Sequence, residues 1–253
     1  IFFQLLIQPH KPDCYIFHNF FSVRRIIISK RKIFNLKHHT SSMIRYLRNL
    51  SDEKLFGLMI VILSIISLST GFYKSTDFND YAGVAKFFSG FYSADIRSSH
   101  NLAYGLVNSP IVYIFRSFWV LKLASIFWIS LLILSVYHIT NKDRRTLILL
   151  LGSPIIWYMG PWINPIQISS LLFLWGFYFV KKFNKTERVR CLFYSGVLFG
   201  ISWMFWNSVM FFLFIFIICF FYNKKVTELG IFLFSILCGL FPLFLIDYFL
   251  YKF

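Results

Sequence analysis

Five stretches of this chain carry no Asp, Glu, Lys or Arg: residues 55–73, 123–141, 146–180, 191–223 and 229–246. A helix needs about 20 apolar residues to cross the hydrocarbon core of a bilayer. Inside that core every backbone N–H and C=O must find its partner within the protein, and runs of this length do so as helices. Hydrophobic residues make up 58% of the chain, with Phe alone at 34 of 253 positions. One soluble core of this size could not hide that much apolar surface, so lipid is the expected solvent. The predicted fold class is all-α: a polytopic helical membrane protein.

The net charge of +16 does not call for nucleic acid. The basic residues sit in short segments beside apolar runs, as the positive-inside rule expects, and no nucleic-acid-binding motif accompanies them. Cys14, Cys191, Cys219 and Cys238 show no CxxC or Cys/His spacing. The last three fall in or beside apolar runs, where cysteine behaves as a small hydrophobe. His38 and His39 are adjacent but have no acidic or Cys partner nearby.

Charge parity predicts the topology. Arg45, Arg48 and Lys54 precede the first run, and Lys142, Arg144 and Arg145 follow the second. Both clusters belong on the cytoplasmic side, so residues 74–117 lie outside. The 35 uncharged residues of 146–180 would make one helix about 50 Å long, too long for a core of about 30 Å. Both ends are basic, so this stretch is a hairpin, broken at Gly160-Pro161-Trp162-Ile163-Asn164-Pro165. Asn164 suits an N-cap and Pro165 a first helical position. The stretch 191–223 repeats the pattern, with its break near Trp206-Asn207-Ser208. With a last span at about 229–249, the count is about seven transmembrane helices, N-terminus cytoplasmic, in a cell membrane. From residue 43 onward, 13 Lys/Arg fall on the proposed inside and six outside or near the outer face.

Residues 1–42 differ from the rest. They contain no Ala, Gly or Glu, and the first Met is Met43. The expected organisation is a basic segment 1–42, either outside the native coding sequence or a basic anchor on the membrane, and a transmembrane domain 43–253.

One external segment, 74–117, is long. Within it Asp80 to Phe88 reads as a helix. Tyr81, Val84, Ala85 and Phe88 form an apolar stripe suited to the bilayer surface, and Gly90 ends it. Asp77 and Asp80 stand at its front, three residues apart, where their carboxylates can face one pocket. A partly desolvated carboxylate there is suited to take a proton from a hydroxyl. The plainer reading is that both acids cap and solvate a surface helix.

The arrangement resembles the GT-C class of membrane glycosyltransferases, which use polyprenyl-phosphate sugars. The resemblance lies in Asp77, Tyr81, Ala85 and Gly90 after the first span. It continues in Asn108-Ser109-Pro110-Ile111-Val112-Tyr113, Lys122, Ser153-Pro154, the polar tip Trp162 to Gln167, and Ser195-Gly196-Val197-Leu198-Phe199-Gly200. It covers roughly residues 50–250. Two positions depart: Phe78 stands where an acid often follows the first Asp, and Asn164 where an acid is common. The soluble C-terminal domain of some members is absent, and the chain is read as a fragment.

The resemblance implies an inverting sugar transfer at the external face, with Asp77 as general base. Asp80 would assist, or hold a divalent cation (Mg or Mn) with Asp77. Lys122 and Arg116 would meet the lipid phosphate, or would snorkel to headgroups. Tyr81, His100, Trp162 and Asn164 complete the expected substrate contacts. Trp157, Tyr158 and Trp162 have the rings to stack on a sugar but suit an interfacial aromatic belt better. The expected partners are membrane lipid and a polyprenyl-phosphate sugar. A transporter or flippase, and a non-catalytic membrane subunit, are the alternatives. A transporter tends to show internal repeats and ionisable residues within spans, neither of which is evident here.

Overall fold

The computed structural model describes residues 49–70, 76–91, 102–117, 119–222 and 225–251, with backbone alone at 76–79, 159, 247, 250 and 251. The expectation for residues 1–42 lies outside the described residues. Every described element is a helix, and all belong to the compact unit Asp52–Phe253. In chain order they are α1 (Asp52–Ser69), α2 (Thr76–Phe88), α3 (Leu102–Phe115), α4 (Trp119–Ile139) and α5 (Arg144–Leu151). Then come α6 (Pro154–Met159), α7 (Ile166–Thr186), α8 (Val189–Phe205), α9 (Val209–Tyr222) and α10 (Val226–Tyr251).

Two helical stretches are long and apolar enough to cross a membrane: Trp119–Ile139, with mean hydropathy 2.1, and Val226–Ile246, with 2.6. The other helices do not meet that measure, so the structure establishes the all-helical class and not the count of about seven spans.

Contacts fix the direction of each long helix. At one end, Asp52 Oδ2 accepts from Tyr137 Oη at 2.6 Å, and Asp52 Oδ1 lies 3.4 Å from the Arg144 guanidinium. At the other end, Ser67 Oγ donates to Pro161 O at 3.1 Å, and Lys122 Nζ donates to Ser67 O at 2.5 Å. So α1 and α4 run antiparallel, while α5 and α6 together follow α1 from end to end. Helices α7 and α8 are antiparallel. Their register is held by Ser169 and Ser202, whose hydroxyls lie 2.9 Å apart, and by Ser195 Oγ donating to Gly176 O at 2.9 Å. Helices α8 and α10 are parallel and nearly touch backbone to backbone. Gly196 faces Ser235 and Ile236, and Gly200 faces Ile236 and Gly239. Small residues four apart on both helices permit that approach. Helix α9 runs with α7, pairing Phe212 with Phe173 at 5.3 Å and Phe216 with Phe177 at 6.2 Å.

The breaks have local causes. Helix α8 ends at Phe205 and α9 starts at Val209, around the polar Asn207-Ser208 pair. The connection between α6 and α7 spans 160–165, where the sequence places it. The path α5–α6 also bends at Gly152-Ser153-Pro154, which the hairpin reading did not include. Ser153 is extended (ψ 113), as a residue before proline prefers, and Pro154 opens α6. The Trp157 indole bridges the bend by donating to Leu151 O at 2.6 Å, satisfying a carbonyl the bend releases.

Residues 74–117 also hold more structure than the sequence suggests. Helix α2 begins at Thr76, and α3 is a second helix despite Pro110 in its interior. Proline lacks the N–H that would reach the carbonyl four residues back. Ser109 Oγ takes that role, donating to Leu106 O at 2.8 Å. The apolar stripe of α2 was expected on the bilayer surface. Instead Tyr81, Val84 and Ala85 are buried, and Val84 packs against Gly105 of α3. Periodicity correctly marks the apolar side but does not say whether lipid or protein covers it.

Candidate functional site

The elements carrying the sequence-predicted residues meet at the end of the bundle opposite the Asp52–Arg144 pair. A buried cluster there joins Tyr81, Ala82 and Ala85 of α2, Ala103, Tyr104 and Val112 of α3, and Leu121 of α4. Ile163 of the 160–165 connection, Ile168 of α7 and Phe205 of α8 complete it. Helix α2 is thereby fixed to the bundle. Its far end closes as a left-handed glycine turn: Gly90 has φ 88, and Phe91 N bonds back to Lys86 O at 3.2 Å. Ser89 Oγ donates to Ser109 O at 3.0 Å, tying that turn to α3.

Asp77 lies in the first turn of α2, and Asp80 follows three residues on, half-buried. The Asp77 side chain and His100 lie outside the described residues. Tyr81 faces inward, its ring 5.5 Å from that of the fully buried Tyr104.

Lys122 is buried, although it is charged. Its ammonium donates to the carbonyls of Ser67 and Thr70 and sits 5.3 Å from the centre of the Trp119 ring. These carbonyls belong to the last turn of α1 and the residue after it, where no intrahelical N–H remains and the helix dipole favours a cation. Here Lys122 caps α1 from α4. Arg116 is exposed between α3 and α4 in a left-handed conformation (φ 49).

Trp162 is partly exposed and Asn164 half-buried. Asn164 Oδ1 accepts from Ile166 N at 2.8 Å, but the N-cap position falls on Pro165 and α7 starts at Ile166, one residue later than the sequence places them. Gln167 Nε2 reaches back to Gly160 O and Trp162 O, both at 3.1 Å. The structure therefore brings Lys122, the 160–165 tip and the end of α1 together, with Tyr81 in the adjoining cluster. Arg116 stands at the edge.

Several polar groups at this end were not anticipated. Asn108 is fully buried. Its Nδ2 donates to Tyr104 O at 2.8 Å, and its Oδ1 accepts from Trp128 Nε1 at 3.3 Å. Burial pushes the Tyr104 phenol well above the usual tyrosine range, and the neighbouring Ser125 hydroxyl offsets only part of that shift. Tyr104 is thus a neutral phenol at any physiological pH. The signal available in sequence was the Asn108-Ser109 pair before Pro110, which reads as loop until the helix is known. Among the described residues no group of three or more His, Cys, Asp or Glu is placed to hold a metal ion.

No protein family, curated protein or solved structure matches the chain.

Proposed function

We propose that this chain is a multi-pass protein of the cell membrane, N-terminus cytoplasmic, acting as a GT-C-type glycosyltransferase. Its seven crossings would be α1, α4, the bent pair α5–α6, α7, α8, α9 and α10. Two features support the placement. Large apolar side chains face outward around the bundle, among them Ile65, Phe127, Phe211, Phe221 and Phe234, all more than half exposed. A water-soluble protein rarely presents so wide an apolar exterior. The helix directions also put the segments with a basic excess, 142–145 and 181–190, at the end where α1 begins, and the uncharged connections, 160–165 and 206–208, at the other.

In this reading the enzyme transfers a sugar from a polyprenyl-phosphate donor to an acceptor hydroxyl at the outer face, with inversion. Asp77 takes the hydroxyl proton as the oxygen attacks the anomeric carbon, and the lipid phosphate leaves from the opposite face. Asp80 assists, and the pair is the candidate holder of a divalent cation. Arg116, exposed at the same end, is the cation suited to the leaving phosphate. Lys122 supports the site by holding α1 to α4.

The observation that carries the reading is the burial of Tyr81 and Ala85, which anchors the Asp77-bearing helix to the end of the bundle opposite the Asp52–Arg144 pair. The test is sugar transfer from a polyprenyl-phosphate donor in proteoliposomes. Asp77→Asn is expected to abolish transfer while membrane accumulation persists. Unchanged transfer would remove Asp77 as the base, and solute flux without any lipid-linked sugar would favour a transporter.

A further inference from the structure

The middle of the bundle carries a second feature, which starts beside the buried cluster of the candidate site, where Leu172 packs, and opens toward the basic end. Between α4, α7 and α8 lies a groove of about 470 Å³, lined by Leu131 and Ser135, by Leu172, Trp175 and Phe179, and by Leu198. Its lining is hydrocarbon and aromatic ring. The Trp175 indole N–H is satisfied within the wall, donating to Ser135 Oγ at 3.0 Å. A polar ligand body would lose its hydration here without compensation, whereas an acyl chain would not.

The same three helix faces continue toward the basic end, where those of α7 and α8 become cationic. On α4, Leu131 and Ser135 lead to His138, whose ring stacks on Trp175 at 6.1 Å. On α7, Trp175 and Phe179 lead to Lys182. On α8, Leu198 leads back through Tyr194 to Arg190, and the Phe179 and Tyr194 rings join the two faces at 5.7 Å. Steps of three and four residues keep each series on one side of its helix. His138, Lys182 and Arg190 are all exposed.

We propose that this groove binds an anionic phospholipid of the inner leaflet, with an acyl chain along Leu172, Trp175 and Leu198 and the phosphate at Lys182 and Arg190. The argument is charge complementarity at the mouth of an apolar channel. Arginine offers a fork that matches phosphate oxygens, and lysine adds a point charge. The site rests on the membrane placement proposed above and not on sugar transfer.

The test is native mass spectrometry of the detergent-purified chain after equilibration with equal phosphatidylglycerol and phosphatidylcholine. Retention of one phosphatidylglycerol per chain, with phosphatidylcholine lost, is expected. Lys182→Gln combined with Arg190→Gln should weaken that retention at least tenfold, and Leu198→Trp should block it by filling the groove. Lys225→Gln removes a charge at the same end, beside Phe183 rather than the groove, and should leave retention unchanged. Equal retention of both lipids, equal loss with Lys225→Gln, no bound lipid, or a second copy of the chain in place of lipid would each overturn the site. The charge substitutions lie on exposed positions, so the test stands even if Leu198→Trp misfolds. Recovery of the chain in solution without detergent would instead remove the membrane placement itself.

Discussion

Gly200 of α8 and Gly239 of α10 lie so close that a Cβ added to Gly200 would sit 2.9 Å from the Gly239 Cα. The opposing atoms are backbone and have no rotamer by which to yield. Gly200→Val should therefore push the helices apart, at a cost of about 1–3 kcal/mol, as overpacking typically does. Gly230→Ala, with nothing within 4 Å, should be neutral or stabilising by up to about 1 kcal/mol. Thermal unfolding in detergent followed by size-exclusion chromatography measures both. Equal midpoints for the two variants would refute the close crossing.

Lys122 offers a test that separates support from substrate contact. Lys122→Met removes the hydrogen bonds to Ser67 O and Thr70 O. It should destabilise the protein by about 1.5–3 kcal/mol, the range for bonds to a charged group. The loss should be the same with or without donor lipid. A raised KM for the donor at unchanged thermal stability would show that the ammonium serves the phosphate instead.

Topology is open to labelling. In a cysteine-free background, Ser208→Cys, between α8 and α9, should react with an impermeant maleimide from the outer face. Arg188→Cys, between α7 and α8, should react only once the inner face is opened. Both positions are exposed. Labelling of both from one side would contradict seven crossings with the cytoplasmic N-terminus.

At the basic end, the two contacts of Asp52 should differ in worth. Tyr137→Phe loses a 2.6 Å hydrogen bond to the Asp52 carboxylate and should lower the unfolding midpoint. Arg144→Gln loses a 3.4 Å ion pair whose side chains are each about one third exposed. Solvent and salt screen such a pair to about 0–1 kcal/mol. Denaturation at low and high salt distinguishes them, since only the Arg144 effect should shrink with added salt.

What could be seen in the sequence follows from where local chemistry decides the outcome. The α8–α9 break was legible because Asn207-Ser208 interrupts an otherwise unbroken apolar run. The α2 end was legible because Gly90 tolerates the left-handed turn. Helix α3 was not, since Pro110 argues against a helix and its remedy, the Ser109 hydroxyl, acts only once the helix exists. The bend at Ser153-Pro154 stands in the sequence as a motif but not as a break, because the length of 146–180 calls for only one interruption. In the candidate site, a bond from Asn164 to the start of α7 was readable from residue type, but not that the cap position itself falls on Pro165. The role of Lys122 was not, because the carbonyls it meets lie more than 50 residues earlier in the chain.

The glycine crossing of α8 and α10 also bears on how the protein can move. Seams filled by side chains can slide by small rotamer changes, but two main chains in direct contact have no such lubricant. That half of the molecule is therefore a stiff spine. Among the described residues, the path beside α1, interrupted at Gly152-Ser153-Pro154, has no such backbone contact to hold it.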